Sequence, residues 1–222
     1  EMCIRDSSKA LDYFKKSLKL DLSFFGENHP SVASGYYNIG YVYFAQGDYS
    51  KALEYFEEVL KIRLSVYGEN HSRVASVYND IGEIYSVQGD DFKALDYFKK
   101  SLKIVLSVYG ENHSQVSSIY DHIGEIYFAQ KDYSKALYYF EESLKIRLSL
   151  FGENHPEVAL SYYSIGSLYI IQGDKSKALN YYEKSLKIRL SVYGENHPLT
   201  KEIMDLINVA NSKVLQSPET TK

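Results

Sequence analysis

The pentapeptide Gly26-Glu27-Asn28-His29-Pro30 comes back as Gly-Glu-Asn-His at Gly68, Gly110, Gly152 and Gly194, always 42 residues on. A fixed period of this length marks a repeat architecture, in which one supersecondary unit is copied and each copy covers the apolar face of the next. Full units run 26–67, 68–109, 110–151 and 152–193. Residues 8–25 match the second half of a unit, and a terminal helix is expected at 194–215. The chain is therefore read as a single repeat array over 8–215. A non-repeat start at 1–7, of artefactual origin, precedes it, and a disordered polar tail at 216–222 follows.

Each unit carries two helical patterns. Val32, Tyr36, Ile39 and Tyr43 recur at steps of four, three and four, and Ala52, Phe56, Leu60 and Leu64 at steps of four, so each set lines one face of a helix. Between them, Gln46-Gly47-Asp48 supplies a glycine for a left-handed helix end and an aspartate for the next N-cap. The unit is a helix hairpin and the expected fold is all-α. Gly40 and Ala52 are small where the two helices would cross closely.

The run Tyr36-x2-Ile39-Gly40-x2-Tyr43, then Ala52-x3-Phe56, repeats as Tyr78, Ile81, Gly82, Tyr85, Ala94 and Phe98. It continues as Tyr120, Ile123, Gly124, Tyr127, Ala136 and Phe140, and then as Tyr162, Ile165, Gly166, Tyr169, Ala178 and Tyr182. This pattern resembles the tetratricopeptide signature, and its 42-residue form resembles the repeats of kinesin light chains and of arrays attached to signalling NTPases. The resemblance implies a right-handed α-solenoid of stacked helix hairpins that binds a protein or peptide in a concave groove.

The Gly-Glu-Asn-His motif could be a metal-ligand set or a hinge. Equivalent residues of stacked hairpins lie about one helix diameter, ~10 Å, apart, whereas zinc ligands must each reach the ion at ~2 Å. Sister histidines cannot share an ion, so the motif reads as a hinge: glycine ends one helix, Asn or His caps the next, and Pro30, Pro156 and Pro198 sit in its first turn. Asp121, His122 and Glu125, on one helical face, form the one cluster outside the core pattern, and read as part of the groove. No metal or cofactor is expected.

The remaining classes are narrowed by composition. A net charge of −4 argues against nucleic acid, and no apolar run reaches the ~18 residues of a membrane helix. One cysteine, Cys3, and no apolar leader lead us to expect a cytoplasmic protein. No phosphate loop or nucleophile–base set stands apart from the repeat pattern, so no enzyme is expected and no catalytic residue is assigned.

The groove is placed by helical phase. If Tyr36, Ile39 and Tyr43 face the hairpin core, the opposite side of each first helix lines the groove: Tyr37, Asn38, Tyr41 and Phe44; Asn79, Asp80 and Glu83; Asp121, His122, Glu125 and Phe128; Tyr163 and Ser164. These positions vary between units while the core positions hold. The resemblance makes them peptide contacts, with Asn38 matching the asparagine that holds a ligand backbone. Lys and Arg are missing from the inner positions of the first helices, whereas Asp80, Glu83, Asp121 and Glu125 gather there among aromatics. That suits a basic peptide. The expected function is a non-catalytic interaction scaffold, adaptor-like as in kinesin light chains. The alternative is a sensor array cut from a larger signalling NTPase or protease.

Overall fold

The computed structural model describes residues 2–212, with side chains from Ser8 onward. The expected tail at 216–222 and the last three residues of the expected terminal helix lie outside the described residues. Among those described there are ten α-helices and no strand. They are α1 (Met2–Phe25), α2 (Pro30–Ala45), α3 (Tyr49–Tyr67), α4 (Ser72–Val87), α5 (Asp91–Tyr109), α6 (Ser114–Ala129), α7 (Tyr133–Phe151), α8 (Pro156–Gln172), α9 (Lys175–Tyr193) and α10 (Pro198–Ser212). The chain divides into two compact units at Gly110/Glu111, one holding α1–α5 and the other α6–α10.

Within each unit the helices pair as hairpins because their ends are written into the sequence. Gly47 and Gly89 in the first unit, and Gly173 in the second, take positive φ of 77 to 82° just past a first helix. Asp48, Asp90, Asp132 and Asp174 then cap the second helix, each accepting from the backbone N–H three residues on. In α6–α7 the glycine is replaced by Lys131, which takes φ 63° all the same.

The recurrent Gly-Glu-Asn-His turn works through its histidine. Nδ1 of His29, His71, His113, His155 and His197 accepts the backbone N–H two residues on, at 3.1–3.3 Å. The rings of His29, His71, His155 and His197 also stack on the aromatic residue four positions earlier, Phe25, Tyr67, Phe151 and Tyr193, at 4.3–4.6 Å. Of the two expected caps, Asn and His, the histidine takes the position, because the asparagine lies one residue too early. An Nδ1 committed as an acceptor is a structural cap. The preceding glycine holds φ of 75 to 79° and ends the second helix.

The small residues do what their size allows. Ala52, Ala94, Ala136 and Ala178 are completely buried. A Cβ added to Gly124 would lie 2.7 Å from Phe140 Cε1, and one on Gly166 would lie 2.7 Å from Tyr182 Cδ1. The helices cross this closely only because those positions carry no side chain. In the first unit Val32, Ile39, Phe56, Val59 and Ile81 form the core; in the second, Phe140, Val158, Ile165, Leu168 and Ile188 do so. The repeated tyrosines are mostly half-buried and not deep core. Tyr43–Tyr55 and Tyr85–Tyr97 stack at 5.5 and 5.6 Å in the first unit, and Tyr127–Tyr139 and Tyr169–Tyr181 stack at 5.7 Å in the second. Lys51, Lys93, Lys135 and Lys177 cover the first ring of each pair at 4.8–5.1 Å.

Candidate binding faces of the two units

In the first unit, α2 and α4 are first helices and α3 is the second helix between them. Tyr37 is half-buried on α2, with its ring edge-on to Phe56 at 5.3 Å. The Arg63 guanidinium, from α3, lies 5.3 Å from the same ring. Arg63 also donates to the Arg73 carbonyl at 2.8 Å and to Ser76 Oγ at 3.0 Å. Burial pushes the Tyr37 hydroxyl up to about 12, helped by the neighbouring Asp80 carboxylate, to which it is hydrogen-bonded. Asp80 is therefore an internal acceptor. Asn38 and Tyr41 stand exposed, Phe44 packs on Tyr49 at 5.9 Å, and Glu83 and Asn79 are half-buried.

In the second unit, α6, α8 and α10 are first helices, and α7 and α9 alternate with them. Arg147, on α7, is 4% exposed. It bonds Asp121 Oδ2 on α6 at 2.6 Å, Glu157 Oε2 on α8 at 3.0 Å, and Ser161 Oγ at 2.8 Å. Burial raises the Asp121 carboxyl to about 6, outweighing the attraction of Arg147. One helix further, Arg189 lies 5.0 Å over the Tyr163 ring, donates to the Leu199 carbonyl at 2.6 Å and pairs with Glu202 at 3.4 Å. The Tyr163 hydroxyl donates to the other Glu202 oxygen at 3.1 Å.

Four predicted residues of this unit come together. Glu125, Phe128, Tyr163 and Ser164, with Phe140 and Ser167, line an open cavity of about 250 Å³ between α6 and α8. Glu125 is 68% exposed, with Oε2 3.9 Å from His122 Nδ1. Asp121 points instead to Arg147, so the cluster of Asp121, His122 and Glu125 is not assembled as one ligand set.

A family profile for the tetratricopeptide repeat matches residues 4–65, 32–106, 73–149 and 115–191, which together run from 4 to 191. The chain belongs to the tetratricopeptide-repeat family. Solved structures of similar fold include BtubC (BKLC) from P. vanneervenii, 18% identical over 99% of this chain and 93% of that one, with a TM-score of 0.72. A Podosopora anserina protein of kinesin light chain type with nearly identical TPR-like repeats is 16% identical over 84% and 89% of the two chains, at 0.69. The apo form of RapI is 18% identical over 82% and 64%, at 0.70. At these identities the likeness establishes the tetratricopeptide fold alone. No curated protein matches the chain. Among the described residues, no helix is long and apolar enough to cross a membrane.

Phase along the first helices missed the arginines. Arg63, Arg147 and Arg189 stand at one position of the second helix, where the remaining full repeat has Val105. Their signal was a cation in an otherwise apolar stripe. They correct the charge picture drawn from the first helices alone, because Asp121 is bound to Arg147 and Asp80 is turned toward Tyr37. The outward carboxylate at the second unit's cavity is Glu125.

Proposed function

We propose that the chain is a non-catalytic scaffold whose first-helix faces hold a peptide segment of a partner protein, adaptor-like in the manner of kinesin light chains. One observation carries this reading. In the second unit an open cavity lies on a face whose residues change from repeat to repeat, while the residues behind it do not. Positions equivalent to Glu125 are Tyr41, Glu83 and Ser167, whereas Gly40, Gly82, Gly124 and Gly166 are constant. A constant frame carrying varied side chains is what a repeat protein uses to tell partners apart.

Basic peptides are the preferred class, on Glu83 and Glu125 with their aromatic neighbours and no longer on Asp80 and Asp121. A cytoplasmic setting suits a chain with one cysteine. The test is a peptide array probed with the purified chain and with a Glu83→Gln, Glu125→Gln variant. Basic peptides should dominate and weaken in the variant. Preference for acidic peptides, or unchanged binding by the variant, contradicts this reading.

A further inference from the structure

The cavity of the second unit has a composition that selects among cations. It is lined by the aromatic residues Phe128, Phe140 and Tyr163, by Ser164 and Ser167, and by Glu125, which is largely exposed. The Ser167 hydroxyl is already used, donating to the Tyr163 carbonyl at 3.0 Å and lying 3.2 Å from the Tyr182 hydroxyl. The charges close by are matched in sets. Arg147 is shared by two carboxylates and Arg189 is paired with Glu202, while none of the six lining residues is cationic. Apart from the His122 imidazole, 3.9 Å from one of its oxygens, the Glu125 carboxylate is thus added to surroundings that hold no surplus positive charge.

A lysine ammonium is compact and strongly hydrated, and it needs several acceptors when it leaves water. Beside Glu125 the lining offers it only the Ser164 hydroxyl and the already engaged one of Ser167. A guanidinium is planar and weakly hydrated on its faces, stacks on aromatic rings, and can present two N–H groups to one carboxylate. The fold itself places a guanidinium over a tyrosine ring twice, Arg63 over Tyr37 and Arg189 over Tyr163, so the Tyr163 ring already carries one cation and the rings of Phe128 and Phe140 are the ones left for a guest. We infer that the cavity between α6 and α8 is an arginine-selective pocket, holding one arginine side chain of the bound peptide between aromatic walls with its guanidinium on Glu125.

This inference rests on the peptide-scaffold reading but can fail on its own. The probes are N-acetyl-arginine methylamide and its lysine and citrulline counterparts, titrated against the full chain by saturation-transfer NMR. The arginine compound should bind at least about fivefold tighter than either counterpart, and lose about fivefold or more in Glu125→Gln and in Phe128→Ala. Circular dichroism of both variants must match the parent, and Glu125, being exposed, is the variant that keeps the test sound if Phe128→Ala disturbs the helix. Equal affinity for the arginine and lysine compounds, or arginine binding untouched by Glu125→Gln, overturns the assignment. If arrayed peptides bind with no arginine preference, the pocket assignment falls and the scaffold reading stands. If neither the peptides nor the arginine compound binds, both fall.

Discussion

The guanidinium of Arg147 lies 2.6 Å from the carboxylate of Asp121, joining the second helix α7 to the first helix α6 that it packs against. Both groups are largely withdrawn from water, so the pair matters more for what its loss would leave behind than for its own net attraction. Arg147→Met should cost about 3 kcal/mol, the low end for breaking a buried pair, because the orphaned carboxyl can take up a proton. Arg147→Met with Asp121→Asn should recover most of that loss. Urea denaturation of the two variants checks this, and a double variant less stable than the single one would contradict it.

Titration of Asp121 should be visible directly. Burial raises its carboxyl to about 6 against an ordinary 3.8, Glu125 adds to the rise, and Arg147, Ser143 and His122 oppose it. The folded state then binds this proton more tightly than the unfolded chain does. The stability contributed by Asp121 therefore increases as pH falls from about 6 toward 3.8, and is lost as pH rises through that window. Carboxyl-carbon NMR should show a midpoint near 6. A midpoint at the ordinary value would show that Arg147 offsets the burial, and one below it that Arg147 dominates.

Crossing distance sets the cost of adding a methyl group at the glycines repeated in every full unit. A Cβ at Gly124 meets Phe140 at 2.7 Å, whereas one at Gly40 meets Tyr55 Cβ at 3.2 Å. Gly124→Ala should lose about 1–3 kcal/mol through overpacking, and Gly40→Ala should lose less. Thermal melts that rank them the other way would show that the ring of Phe140 yields more easily than its burial implies.

Lys131 is strained where its sister positions in three repeats have glycine. An L-residue in the left-handed region costs roughly 1–2 kcal/mol, so Lys131→Gly should stabilise the α6–α7 hairpin by about that amount and raise the melting temperature. An unchanged or lower melting temperature would mean that Lys131 makes a compensating contact.

Much of the fold was legible because its determinants are local. A glycine with positive φ, an aspartate or histidine cap and a small residue at a helix crossing each act within a few residues of their own position, and repetition made them unmistakable. The binding faces were only half legible. Helical phase finds the residues that leave the core of a first helix, but it cannot see what a neighbouring helix sends across. Arg147 reaches Asp121 over 26 residues of chain, and that reach depends on how α6 and α7 cross. Phe140 stands out in the sequence only as a repeated aromatic; its place in the core and its second role in lining the cavity emerge only once the helices are packed.

The central claim is that a peptide binds on the first-helix faces, and amide NMR of the chain titrated with the best basic peptide from the array tests it most directly. Shifts at the first-helix positions of the unit that binds, Asn38 and Glu83 in the first or Glu125 and Ser164 in the second, and absent from the stacked tyrosines Tyr55, Tyr97, Tyr139 and Tyr181, are the predicted result. Shifts confined to those tyrosines and the lysines over their partners would place the partner on the other side of the hairpins and contradict the account.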